Sequence, residues 1–163
     1  MGREYRDDRF RGRPNDIGMH RTGLGTVARP VGAYREEGVE MPAKVGYLAI
    51  DTMDPNGLAP FWCGLLGVHV DTTIGDGQFV ILSPTEEGLT IGFQRVPEAK
   101  AGKNRVHLDL VVDDLDASTA EVEALGGRWL EPGTTRELEG FCWRCMADPE
   151  GNEFDLDVLP SDS

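Results

Sequence analysis

The sequence predicts an α+β domain of two tandem βαβββ modules behind a flexible N-terminal arm. Three observations carry this. After about residue 43, strand-like and helix-like runs follow one another in the same order twice. The two sets align at an offset of about sixty residues, pairing Tyr47 with His107, Asp54 with Asp114, Leu65 with Leu125 and Gly67 with Gly127. Residues 1–40 share none of this patterning. Neither half alone could bury its sheet, whereas two packed together can. At 163 residues the chain is long enough for one domain with a real core.

The arm comes first. Residues 1–40 hold eight Arg against seven Asp/Glu and are rich in Gly, as in "REYRDDRFRGRP". They offer too little apolar surface to offset the entropy of ordering. Residues 1–42 therefore read as a flexible Arg/Gly-rich arm, and residues 43–163 as the domain. In a GC-rich bacterial gene, Glu36-Glu37 encoded as GAGGAG would resemble a ribosome-binding site ahead of Met41. On that expectation the arm is upstream sequence and not native; the intact mass of natively expressed protein decides.

Module one spans about residues 44–97. "KVGYLAID" is a short apolar strand. "MDPNGLAPFWCGLLGV" places Leu58, Phe61, Trp62, Leu65 and Leu66 at helical spacing, with Asp54 as N-cap, Pro60 near the first turn and Gly67 closing the helix. Phe61, Trp62 and Leu65 read as helix-to-sheet core. "HVDTTIGDG" and "QFVILSP" form a hairpin around Gly75–Gly77, and "GLTIGFQRV" is a further strand. Module two spans about residues 103–159. "RVHLDLVV" is a strand and "DDLDASTAEVEALGG" a helix capped near Asp114. "RWLEPGT" is a short strand and turn, "GFCWRCMADPEGN" a strand and turn, and "EFDLDVL" the last strand.

Composition excludes several functions. Beyond residue 40, eight Lys/Arg face 22 Asp/Glu, a charge near −14. Phosphate binding needs a basic stripe, so nucleic acid is excluded as a partner. An acidic domain favours solubility and, where acids line a cleft, a cationic ligand. No run is apolar enough to span a membrane and no secretory signal is visible, so the expected location is the cytoplasm. Three cysteines do not make a disulfide framework. Cys142 and Cys145 have CxxC spacing, but in a strand they face opposite sides, and only Cys63 remains as a further soft ligand. They read as reduced structural cysteines.

The duplicated module, with "FWCGLLG" after the first strand and "DPEGNEFDL" before the last, resembles the vicinal oxygen chelate superfamily. That superfamily includes glyoxalase I, extradiol dioxygenases, fosfomycin-resistance enzymes and bleomycin-resistance binding proteins. "FQRVPEAKAGKNRVHLDL" is similar to its small bacterial glyoxalase-like domain proteins. The resemblance covers about Ala43 to Leu159. It implies paired modules forming a curved mixed sheet around a cup, and commonly a homodimer.

It also implies metal-ligand positions on the first and last strands of each module. Carried over, these are Tyr47, Gln94, His107 and Asp155. His107 matches the catalytic pattern, Asp155 keeps a carboxylate on a shorter arm, and Gln94 is a weak oxygen ligand. Tyr47 replaces a histidine and is a poor ligand near neutral pH. Enediolate or diol chemistry needs a cation with open positions and a nearby base. The chain therefore admits two readings. One is a metal-free small-molecule-binding protein. The other is a lyase, isomerase or dioxygenase using Zn, Ni, Mn or Fe at His107, Asp155 and Gln94. His107 is read as a metal ligand, a cup-facing polar contact or a buried core histidine. Asp109 has the same strand parity and joins it. Trp129 and Trp143 line the core or the cup, where aromatic walls suit a small organic ligand. Asp155 and Asp157 share parity, and at least one reads equally as a solvated strand acid. Arg105 and Arg144 read as salt-bridge partners of nearby acids.

Overall fold

The alternating run "LAIDT" forms β1 (Leu48–Thr52), with its larger apolar side chains turned to one side. The computed structural model describes Ala43 and residues 45–160; the arm expected over residues 1–42 lies outside the described residues. Helix α1 (Pro55–Leu66) follows and buries Leu58, Ala59, Phe61 and Trp62. Gly67 ends it in the left-handed region at φ 66°, a conformation that favours glycine. Two details of the helix differ from expectation. The Asp54 side chain makes no capping hydrogen bond, although its own N–H and that of Met53 donate to Glu150 of module two, as described below. Pro60 lies inside the helix rather than in its first turn; it removes the bond to the Asn56 carbonyl, which sits at an exposed position.

Strands β2 (Val70–Ile74), β3 (Phe79–Leu82) and β4 (Ile91–Arg95) complete the first sheet in the order β1-β4-β3-β2. β1 and β4 are parallel, and the other pairs antiparallel. Module two repeats the plan with β5 (Asp109–Val111), α2 (Leu115–Ala124), β6 (Arg128–Trp129), β7 (Arg136–Leu138), β8 (Phe141–Ala147) and β9 (Glu153–Val158). Its sheet runs β5-β9-β8-β6, with β7 also on β8. The counterpart of β2 is thus split into two short strands, of which β7 was not foreseen. Asp114 caps α2 with its side chain, accepting from Asp116 N–H at 2.8 Å and Ala117 N–H at 3.0 Å.

One apolar core serves both modules. Val80, Leu82, Ile91 and Phe93 enter it from the first sheet, and Met146, Phe154 and Leu156 from the second. Trp62 joins them, its ring centroid 5.3 Å from that of Phe154. Burying side chains of this size contributes roughly 1.5–3 kcal/mol each.

The "DPEGN" turn before β9 locks the modules together. Asp148 is fully buried and accepts from Trp62 Nε1, Glu150 N–H, Asn152 N–H and Asn152 Nδ2. Glu150 reaches the start of α1, accepting from Thr52 Oγ1 at 2.6 Å, Met53 N–H at 3.1 Å and Asp54 N–H at 3.2 Å. Glu150→Ala leaves these donors without the carboxylate and is expected to cost about 2 kcal/mol, read as a lower urea midpoint at unchanged slope. An unchanged midpoint would show that water replaces the carboxylate without loss.

Candidate functional site

Register in the second sheet builds a polar patch on the face away from α2. Asp109 pairs with Asp155, and Asp155 with Cys145, so the three form one row. Val111, Asp157, Trp143 and Arg136 form the next. Lateral partners share a face because the pleat is in phase across the ladder. His107 stands just before β5. Its Nε2 lies 3.2 Å from Asp109 Oδ1 and 3.9 Å from Asp155 Oδ2. One donor atom from each of the three falls within 4.8 Å of the others.

His107 is not the buried core histidine that one reading held open. It precedes the strand, and its side chain is 48% exposed. Asp155 and Asp157 are not solvated strand acids either, with exposures of 16% for the Asp155 side chain and 3% for Asp157. Burial, then the charges of Asp109 and Asp155, push the Asp157 carboxyl up to about 6, against a smaller opposing effect of His107. Burial, then the hydrogen bond and charge of Asp155, raise the Cys145 thiol to about 11. A thiol held that high is a poor nucleophile near neutral pH. All three cysteines are free, and Cys142 and Cys145 face opposite sides of β8 as their spacing requires.

The remaining expected residues lie elsewhere. Gln94 pairs with Asp51 and Phe79 in the first sheet. Tyr47 crosses Gly92, where an added Cβ would stand 3.1 Å from the ring, so the absence of a side chain there makes room for it. No hydrogen bond among the described residues links Tyr47 or Gln94 to the His107 group. Trp143 shares the patch face and lies 5.5 Å from Phe141 between ring centroids. Trp129 pairs with Met146 and so turns to the opposite, helix-facing side. The guanidinium of Arg144 lies 4.3 Å from the Trp129 ring centroid, while binding Asp116 and Thr119 on α2.

A cavity of about 440 Å³ opens where the modules meet. The free edge of β1, the linker through Val96–Leu108 and the start of β9 form its walls. Leu48, Ile50, Val106 and Leu108 give it apolar walls over the buried Trp62 and Phe154, and His107 also lines it. The cavity residues Asp51, Glu98, Asn104 and Asn152 were not foreseen from the sequence.

Comparison with known proteins agrees with this architecture. The glyoxalase-like domain family matches residues 47–156. No curated protein matches the sequence. A solved glyoxalase/bleomycin resistance protein/dioxygenase family enzyme from Burkholderia phytofirmans PsJN is 20% identical, with a TM-score of 0.60 over 72% of this chain and 99% of its own. A glyoxalase/bleomycin resistance protein/dioxygenase from Nocardioides is 12% identical, with a TM-score of 0.59 over 77% and 89% of the two chains. The oxidase ChaP-H2 is 20% identical, with a TM-score of 0.55 over 76% and 98%. At such identities the likeness establishes the fold, which enzymes and binding proteins share.

Proposed function

The chain belongs to the glyoxalase-like domain family, and on that premise we propose that it binds a small organic molecule between its two modules. The cavity carries this reading. Its volume falls at the scale of small-ligand pockets, and it joins an apolar lining to a few polar groups. Ala49 lines it from the edge of β1, at an exposed position. Calorimetric titration of a library of small organic molecules tests the proposal. Binding that disappears in Ala49→Trp, with thermal stability kept, is the expected result. Binding unaffected by that bulk would place the ligand elsewhere.

A second reading rests on the His107, Asp109 and Asp155 group. One imidazole and two carboxylates within 4.8 Å fit a three-donor site for a divalent ion such as Zn, Mn, Fe or Ni. Asp109 takes the place that the resemblance gave to Gln94. A divalent ion held there would polarise ligand oxygens. Beside the group stands Asp157, a buried carboxyl held above the ordinary carboxylate range by burial and by the charges of Asp109 and Asp155 while no cation is bound. The apolar faces left open suit a homodimer: Ile74 and Phe79 on the first sheet, Val111 and Leu138 on the second, are all exposed. One preparation purified without chelator tests both ideas. Stoichiometric metal lost in His107→Ala, and a sedimenting mass of two chains, are expected. A metal-free protein removes the metal reading, and a single-chain mass removes the dimer.

A further inference from the structure

The cavity's side-chain chemistry is one-sided, and we infer from it that the ligand carries a cationic ammonium or amidinium group on an apolar body. This rests on the reading of the cavity as a small-molecule site and adds the ligand's class. Polar side chains around the cavity divide into groups already used and groups left free. Each donor side chain has a partner within the protein, His107 Nε2 among them at 3.2 Å from Asp109 Oδ1. Lys100 Nζ donates to the Gly102 carbonyl at 2.7 Å and lies 3.8 Å from Glu153 Oε1. Asn104 Nδ2 donates to the Glu153 carbonyl at 3.4 Å.

The free groups are acceptors. Asp51 and Glu98 are exposed carboxylates that line the cavity and have no hydrogen-bond partner or ion pair among the described residues. Asn152 is the most telling. It is 9% exposed and lines the cavity, and its Nδ2 donates to Asp148 Oδ2 at 2.8 Å. That partner is a carboxylate and accepts only, so chemistry fixes the orientation of the amide. Asn152 Oδ1 is therefore the free end, an acceptor with no partner among the described residues on a side chain whose orientation is fixed. Held in place by Asp148, this oxygen is a preorganised acceptor for a ligand donor.

The backbone is neutral in this respect. Leu48 N–H bonds to Thr90, so alternate residues Ala49 and Asp51 turn both N–H and C=O away from β4. These peptide groups offer donors and acceptors equally. Sign and polarity are set by the side chains, two free carboxylates and one amide oxygen. A cationic head with several N–H donors complements acceptors of this kind, and the apolar lining of Leu48, Ile50, Val106 and Leu108 suits an apolar body.

Three probes of matched shape test the inference by calorimetry: 1-naphthylmethylamine, 1-naphthalenemethanol and 1-naphthoate. The amine is expected to bind at least about tenfold more tightly than the alcohol, with the carboxylate weakest. The double variant Asp51→Asn/Glu98→Gln, at exposed positions and with unchanged thermal stability, is expected to lose that preference while still binding the alcohol. Alcohol binding equal to or tighter than the amine would overturn the cationic class and leave the cavity reading standing. A preference that survives the double variant would also overturn it. Binding of none of the three, in wild type or variant, would overturn both.

Discussion

Asp148→Ala is expected to destabilise the protein by about 3–5 kcal/mol, the largest effect of any single substitution considered. The carboxylate is fully buried and holds four donors: the Trp62 indole, two backbone N–H groups and the Asn152 amide. Alanine removes the acceptor and leaves those donors in a site with little water. The loss spreads, because Trp62 packs on Phe154 across the module boundary. Asn152 would also be released from its fixed orientation at the cavity. Chemical denaturation is the measurement, with Asp148→Asn as a companion that keeps the shape and part of the accepting capacity. Asparagine should recover part of the stability. A loss below about 1 kcal/mol in the alanine variant would mean that the turn is held by its backbone and not by this side chain.

The second large effect is pH dependence at Asp157. Its carboxyl rises from an ordinary value of 3.8 to about 6 in the folded protein, through burial first and then through Asp109 and Asp155. Between those values the folded state keeps a proton that the unfolded state has shed. Stability from this group therefore falls as pH rises through the window. The penalty is absent below about 3.8 and complete above about 6. Its size at neutral pH is up to about 3 kcal/mol, from roughly two pKa units. Asp114 and Glu87, whose values are lowered by hydrogen bonds, act in the opposite sense. The effect is accordingly read as a difference between proteins. Asp157→Asn is expected to gain stability over wild type at pH 7 and to show no gain near pH 4. An equal gain at both pH values would assign it to packing rather than to charge.

Most of the fold was legible because its elements carry their own periodicity. Leu58, Phe61, Trp62 and Leu65 mark α1, and Leu48 and Ile50 against Ala49 and Asp51 mark β1. β7 was missed because Arg136, Glu137 and Leu138 are all exposed and show no alternation. The only signal was the turn at Glu139-Gly140, where both residues take positive φ. The site was legible in part. Strand parity brought Asp109 to His107, and the family resemblance added Asp155. Trp129 could not be placed by parity, since β6 holds only two residues. The Cys145 and Asp157 environments depend on cross-strand register, which no local pattern encodes. The cavity was illegible for a similar reason. Asp51, Glu98 and Asn152 are far apart in the chain and meet through the docking of a linker against two strand ends.

A small organic molecule is proposed to sit between the modules. Chemical-shift mapping on isotope-labelled protein, with the tightest binder from the library, tests it most directly. Shifts concentrated at Ala49, Asp51, Asn104, His107 and Asn152 are expected. Saturable shifts confined to the outer surface of α2 or to the β2–β3 hairpin, with the cavity residues silent, would contradict it.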